Sequence, residues 1–525
     1  MSNQTKSVAK SISVLGIAGI LCKLIGVLFS IPLNMISPRV ATVFYLVYPT
    51  YTLLLTVSSA GLPVAVSRMV AGFLAVNDRR NARQTFRSAL IMLVVLGAFF
   101  SLLMALSNGL LTSMVGMEEA GPGFFAIAPC VLIVCALSAF RGLIQGQQNM
   151  TPTAISQLIE QTGKVALSLP LAALGLRRSV AAGAGGALLG ITLAEAAALL
   201  YMVIRYYVKK PEFERLPQDP ARDPIPSKLL MKRLIIISIP ITVSACIIPF
   251  SQFIDSAMMI KRMLLAGLTA DEAQSAYGLF TSIVIRLINI PTALALAISI
   301  SLVPAISDRK SRKDDEGVRQ ETHTGMRYAF LIGFPCSVGM SILSGPIVRF
   351  FYGGVEKFTA GQLQLAAELL TFSAMTVVLF TVVQATSSIL QGLRKQRIPM
   401  YTMVAGVAVK ILLNYLLIGT PGIHIHGGPY ASIACYAIVM VANTVFVCRY
   451  AKMRFCWRDW VIRPGLAAAV MGVVIYALQA LLPENRILTI LEVGVGIVVY
   501  LAAAFALKAL TREDLRAMTR RRKRG

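Results

Sequence analysis

A chain of 525 residues that is 56% hydrophobic and only 14% charged, with a mean hydropathy of +0.72, is far from the balance of a soluble protein, where about a quarter of residues are charged. Fifty Lys and Arg against twenty-four Asp and Glu give a formal charge of +26. The apolar residues fall in runs near twenty long, which excludes a soluble multidomain protein, a disordered chain and a nucleic-acid-binding role for the positive charge. The sequence predicts a multi-spanning, all-α membrane protein.

Taken in chain order, the apolar runs predict fourteen transmembrane helices, at about 12–36, 42–67, 88–107, 123–146, 153–175, 183–207, 234–257, 276–304, 328–349, 363–391, 398–418, 429–448, 464–482 and 488–507. The first is too long for a signal-peptide core, and no small-residue cleavage site follows it closely, so it counts as span 1. With both termini cytoplasmic, most of the Lys and Arg fall in cytoplasmic segments, as short basic loops require. The C-terminal RRRKRG then meets anionic headgroups. The longest connection, from about Tyr207 to Arg233, carries Pro211, Pro217, Pro220, Pro224 and Pro226. The expected organisation is an N-terminal lobe at 1–210, a cytoplasmic linker at 211–233, a C-terminal lobe at 234–450, spans 13 and 14 within 451–507, and a basic tail at 508–525.

The two lobes share an internal repeat. Gln145-Gly146 and Lys164 reappear as Gln391-Gly392 and Lys410, each offset by 246 residues. In each copy a span ends at Gln-Gly, turns through a Pro-containing loop, and re-enters as a span with a lysine midway. Parallel repeats of six spans are an architecture of secondary transporters, with the substrate site between the repeats.

Charges inside spans are costly, about 2.5 to 3.5 kcal/mol at the bilayer centre on the lenient scale, so each needs a partner, a wet cavity or a route to the surface. Arg68 and Arg141 lie close enough to the cytoplasmic face to snorkel, and are assigned to a cytoplasmic gate. Asp255, Glu368 and Glu492 lie near external ends. Glu160 and Lys164 are four apart, the spacing of an intrahelical ion pair. Lys23, Arg286, Lys410 and Glu195 remain near mid-depth. Lys23 and Arg286 have no acidic neighbour within a turn and suit an anionic ligand; tertiary pairing with Glu195 or Asp255 is the alternative. Pro32, Pro63, Pro240, Pro249, Pro291 and Pro304 interrupt spans 1, 2, 7 and 8 and favour bends.

No nucleotide-binding G-x-x-x-x-G-K-[ST] occurs. The eight cysteines are scattered without a C-x-x-C, and His424 and His426 in GIHIHGG make a weak metal pair. The external acids form no catalytic pair. Catalysis, a cofactor and a metal are not expected.

The stretches RGLIQGQQNMTPTAISQLIEQ, SAGLPVAVSRMVA and INIPTALALAISISLVPAIS resemble the stage V sporulation protein B branch of polysaccharide transporters. That branch shares the MOP superfamily with MurJ-type lipid II flippases and MATE multidrug exporters. The resemblance implies two six-helix lobes in a V, alternating access, and a cationic central cavity to which Lys23 and Arg286 contribute. Asn289 stands where the MurJ-type pattern has a glutamate, and Phe29 where it has a second helix 1 arginine. The spans from about Pro464 to Leu507 would offer a groove for the lipid tail.

The expectation is a monomeric flippase of the bacterial plasma membrane. It carries an undecaprenyl-pyrophosphate-linked glycan such as lipid II to the outer leaflet. Lys23, Arg286, Asn289 and Lys410 contact substrate, and coupling to Na⁺ or H⁺ falls to Glu195 and Asp255, with Glu160 and Lys164 as charge partners. The rivals are a cation-coupled multidrug exporter of the same fold and a non-transporting scaffold for envelope assembly.

Overall fold

The computed structural model describes residues 21, 22, 25, 26, 28–481 and 485–510, with backbone alone at 293–298, 300 and 486. Lys23, about half of span 1 and most of the basic tail therefore lie outside the described residues. The described chain is helical throughout, without a named strand; one isolated antiparallel bridge joins Asp78 and Gln218.

Packing divides it into Met1–Gly278 and Leu279–Gly525, a boundary later than the proline-rich linker. The first unit holds α1 Ser30–Ile36, α2 Pro38–Ser59, α3 Leu62–Ala75, α4 Arg79–Leu106, α5 Asn108–Val115, α6 Gly121–Gly146, α7 Thr151–Leu176, α8 Val180–Glu214, α9 Ser227–Leu265 and α10 Ala270–Gly278. The second begins with a π-helical turn, Leu279–Val284, and continues with α11 Ile285–Ser311, α12 Asp315–Ile342, α13 Ser344–Tyr352, α14 Ala360–Ser373, α15 Met375–Gly392, α16 Arg397–Ile418 and α17 Gly427–Tyr450. A second π-helical turn, Arg458–Ile462, leads to α18 Arg463–Leu481 and α19 Arg486–Ala506.

Ten helices among the described residues are long and apolar enough to cross a membrane, and an eleventh crossing results if α12 and α13, bent by 73°, form one. Of the fourteen expected spans, three stand apart from these. Span 1 lies about half outside the described residues, and span 8 is built as α10, the π turn and α11. Span 5 forms α7, whose Gln157, Glu160, Gln161 and Lys164 make it less apolar than its neighbours. Many apolar side chains face outward, among them Val473, Tyr476, Leu481 and Ile487, as lipid contact requires. This is a multi-pass membrane protein.

The internal repeat extends well beyond the matching letters. Helix α3 ends with Asn77 left-handed (φ 56°) and α11 with Lys313 left-handed (φ 58°); α6 ends with Gln148 (φ 61°) and α15 with Arg394 (φ 61°). All four close in the same way. The N–H of the left-handed residue bonds three residues back, and the next N–H bonds five back, as in Asn149 to Ile144 and Lys395 to Leu390. Asp78 and Asp314 then cap the following helices by accepting from the N–H groups of Asn81 and Gly317.

Glycines mark the same crossings in both units. A Cβ at Gly97 would lie 3.0 Å from the Leu132 Cα, and one at Gly333 would lie 2.9 Å from the Val378 Cα. One at Gly146 would meet Val70 Cβ at 2.8 Å, and one at Gly392 would meet Ile306 Cβ at 2.9 Å. The Gln-Gly of the repeat is thus kept in both halves by helix packing on α3 and α11, since only a glycine permits backbones that close.

Two readings of the sequence change. The prolines do not interrupt spans 7 and 8: α9 runs through Pro240 and Pro249, and α11 through Pro291 and Pro304. The break in span 2 falls at Ala60-Gly61, just before Pro63, where a Cβ on Gly61 would lie 2.3 Å from the Ser238 carbonyl oxygen of α9. The proline-rich connection is not a free linker either. Asn81 donates to the Asp223 carbonyl at 2.9 Å and accepts from the Ile225 N–H at 2.8 Å, while Asp219 N–H donates to the Asn77 carbonyl at 2.8 Å. These bonds strap residues 218–225 onto the α3–α4 turn.

Candidate functional site

In the first unit α6, α7 and α8 bring four charged side chains together within the span region. Arg141 of α6 reaches across to α7, donating from Nε to Ser156 Oγ at 3.0 Å and from Nη2 to Glu160 Oε2 at 3.0 Å. The other Glu160 oxygen accepts from Gln161 at 3.0 Å. Glu195 of α8 is buried, with Glu160, Arg141 and Lys164 as its charged neighbours, and its Oε2 has no hydrogen-bond partner among the described residues.

Lys164, one turn beyond Glu160, points at rings. Its Nζ lies 4.9, 5.6 and 5.0 Å from the ring centres of Phe29, Phe44 and Tyr48. A cation over aromatic faces gains about 0.5 to 2 kcal/mol, more as water is excluded. Phe44 and Tyr48 stack with an interplanar angle of 13°, and Tyr51 extends the row to Cys130, its hydroxyl 3.2 Å from Sγ. Phe44, Tyr48 and Tyr51 follow helical spacing i, i+4, i+7, a periodic signal by which the aromatic face was visible in the sequence.

This geometry revises the sequence-based assignments. Glu160 is held by Arg141 across two helices, whereas intrahelical spacing had paired it with Lys164. Arg141 turns inward instead of snorkelling, with 14% of its side-chain surface exposed. Arg68 is exposed on α3, and Asp255 is half-buried on α9, a helix that packs on α2, α3 and α4. Glu492, placed by its sequence position near external water, is instead buried.

In the second unit Arg286 is half-buried directly after the π turn, and its Nε donates to the Thr281 carbonyl at 3.4 Å. A π turn displaces carbonyls from the α-helical register, and such turns recur at functional positions. Asn289 is half-buried one turn on, its carbonyl accepting from Thr292 Oγ1 at 3.0 Å. Lys410 is half-buried on α16, one turn before the buried Asn414. His424 and His426 form a short 3₁₀ turn, with His426 Nε2 3.7 Å from Glu368. Among the described residues, no group of three or more His, Cys, Asp or Glu is placed to hold a metal ion.

The family model described as polysaccharide biosynthesis protein matches residues 8–310, more than half of the chain. The chain belongs to the polysaccharide biosynthesis protein family. The MatE model also matches, over residues 240–416. Among relatives of this polysaccharide biosynthesis protein, lipid II flippase MurJ of Bacillus subtilis (strain 168) is 26% identical over 525 residues, covering 94% of each chain. Stage V sporulation protein B of the same organism is 26% identical over 400 residues, 76% of this chain and 75% of its own. A solved lipid II flippase MurJ in an inward closed conformation shares the fold, with a TM-score of 0.70 over 93% of this chain and 97% of that one at 14% identity. This polysaccharide biosynthesis protein has the fold of the solved MurJ and of a multidrug resistance MATE family transporter of the MOP superfamily, the latter with a TM-score of 0.69 over 85% of this chain at 16% identity.

Proposed function

We propose that this transporter is a flippase that moves an undecaprenyl-pyrophosphate-linked glycan, lipid II, from the inner to the outer leaflet of a bacterial plasma membrane. The observation that carries the reading is the likeness to a lipid II flippase across 94% of both chains. The physical requirement is a lower barrier for an anionic headgroup at mid-membrane, and basic side chains inside spans supply it. In this reading Lys23, Arg286 and Lys410 face the pyrophosphate, and Asn289 contacts the sugar where a carboxylate would repel phosphate. The lobes at 1–210 and 234–450 alternate access, with Arg68 and Arg141 toward the cytoplasmic gate. Spans 13 and 14 guide the polyprenyl tail. The protein acts as a monomer without nucleotide or cofactor, both termini cytoplasmic, its basic tail on anionic lipid. An inside-negative potential favours outward movement of the anion by about 2.3 kcal/mol per charge per 100 mV.

Glu195 is the coupling residue in this proposal, with Asp255 as the other acid to be tested. A proton taken or released at Glu195 changes by one the net charge of a cluster whose members are Arg141, Glu160 and Lys164, and a sodium ion would act through the same charge. The buried carboxylate also favours a second reading, a cation-coupled multidrug exporter, for which the MatE match over 240–416 speaks.

One experiment separates the readings. In cells depleted of their own lipid II flippase, the wild-type chain restores access of lipid II at the outer face, and Lys23→Ala and Arg286→Ala each lower it at least about tenfold, the effect of about 1.4 kcal/mol. Restoration by both variants at the wild-type level rejects the site. An exporter coupled through Glu195 tolerates loss of Lys23, whereas the flippase does not. A scaffold for envelope assembly restores nothing through these charges and fails only when its loops are changed.

A further inference from the structure

Where α6 turns into α7, a pocket opens against the last turns of α8. Gln147 and Asn149 line it from the turn, Arg205, Lys209 and Lys210 line it from α8, and no acidic side chain is among the lining residues. The enclosed space is small, about 30 Å³, which suits one phosphate-sized group and nothing larger.

Arg205 is the unusual member. It is half-buried, its Nε is shielded from solvent, and among the described residues its guanidinium has neither a hydrogen bond nor an ion pair. A shielded donor without an acceptor is costly until an acceptor arrives. The acids at this end of α8 are engaged elsewhere: Glu212 takes Lys209, and Glu214 takes Arg83 at 3.3 Å and Lys210 at 4.0 Å. The side-chain amide of Gln147 is also without a partner among the described residues. Asn149 uses only its oxygen, which accepts from the Thr151 N–H at 3.3 Å and leaves its NH₂ unused.

The internal repeat supplies a comparison within the same chain. Asn149 and Lys395 hold the same place, three residues past Gly146 and Gly392, and each closes its turn with a bond five residues back. In the second unit the cation on the turn is satisfied by the neighbouring helix, since Lys395 Nζ lies 4.9 Å from the ring centre of Tyr450 at the end of α17. In the first unit the turn carries an amide instead, and the cation on the neighbouring helix is left open.

The unused donors call for an anion with several acceptor oxygens. A phosphate accepts the guanidinium fork in a pair of bonds and keeps lone pairs for the amides and a lysine. The lipid-facing stripe of α8 runs to this level, with Leu200 60%, Ile204 52% and Val208 60% exposed, so the hydrocarbon ends beside Arg205 and Lys209 and a lipid headgroup is the phosphate at hand. A zwitterionic headgroup would set its own ammonium against the two lysines. We propose that the α6–α7 turn and Arg205 bind the phosphate of an anionic phospholipid, phosphatidylglycerol. The leaflet is the one at which this turn lies, the cytoplasmic one in the orientation read from the basic residues.

None of these side chains belongs to the transport site above, so the proposal does not rest on the flippase reading. It is tested on the full-length protein in neutral detergent with equal amounts of phosphatidylglycerol and phosphatidylcholine, with and without excess inorganic phosphate, counting retained lipid by native mass spectrometry. Phosphatidylglycerol is retained over phosphatidylcholine by at least about fivefold, and inorganic phosphate does not displace it. Arg205→Gln lowers that ratio at least about threefold, whereas Lys232→Gln, which removes the same charge from an exposed position on α9, leaves it unchanged. Gln147→Leu, which keeps every charge, lowers it too, and reads the site should Arg205→Gln fail to fold. Equal retention of the two lipids by the wild type overturns the proposal, as does an equal loss in Lys232→Gln, which would mean a diffuse basic surface. Displacement by inorganic phosphate overturns the lipid as its source, and a ratio unchanged in folded Arg205→Gln and Gln147→Leu proteins overturns the site.

Discussion

Arg141 and Glu160 each keep less than a quarter of their side-chain surface exposed, so their ion pair lies where losing one partner is costly. Arg141→Ala removes the guanidinium that Glu160 pairs with at 3.0 Å, and is expected to destabilise the protein by about 3 kcal/mol. Arg141→Met with Glu160→Gln regains most of that loss. Thermal unfolding in detergent checks both, and a double variant no more stable than Arg141→Ala would exclude a dominant ion pair. Lys164→Met removes the cation from three aromatic faces at nearly constant volume. If that cation serves transport, flipping falls about tenfold with little change in melting; an unchanged rate assigns Lys164 to packing. None of these partnerships was readable from spacing along one helix. Glu160 and Lys164 are neighbours on α7, but Glu160 is also met by Arg141 of α6 at 3.0 Å, a partner that spacing along α7 does not show.

At the scale of elements, the glycines of RGLIQG act at a helix crossing. A Cβ on Gly142 would lie 2.9 Å from the Pro63 carbonyl oxygen, and one on Gly146 would lie 2.8 Å from Val70 Cβ, so both hold α6 against α3. Gly146→Leu and its counterpart Gly392→Leu each overfill such a crossing and are expected to cost about 1 to 3 kcal/mol, read as lowered melting temperatures. Wild-type stability in both variants would deny the crossings this role. The sequence displayed the repeated Gln-Gly, but as turn chemistry; the close approach that requires glycine belongs to the neighbouring helix.

The caps also carry a pH dependence. The Gly317 N–H and the Arg309 guanidinium hold the Asp314 carboxyl below the usual carboxylate range. A depressed carboxyl stabilises the fold above its unfolded value and loses that contribution as pH falls through its folded value. The start of α12 is therefore expected to fray in acid, below the usual carboxylate range. Hydrogen exchange at residues 315–320 checks it, and Asp314→Asn should remove most of the pH dependence. Asn81→Ala in the other unit should free the strap and speed proteolysis between residues 216 and 226.

For the whole molecule, the membrane field is the decisive environment. A flippase for an anionic headgroup run by potential speeds up as the inside becomes more negative, by up to about 50-fold per 100 mV for one charge moved fully across. Proteoliposomes with potassium-set potentials measure it, and a rate indifferent to potential but dependent on a proton gradient assigns the drive to Glu195 instead. The helical class, the membrane setting and the positions of ten or eleven of the fourteen expected spans were legible in the sequence, because burial in hydrocarbon imposes apolar runs of fixed length and helices satisfy their own backbones. These are local constraints, and the chain writes them locally. The repeat was legible in part, since its turns use short segments. Which charges meet, which glycines touch a neighbour, that the proline-rich connection is strapped down, and that Glu492 is buried were decided only by tertiary packing. Each depends on residues tens to hundreds of positions apart, and contacts at that range leave no period or motif in a single chain.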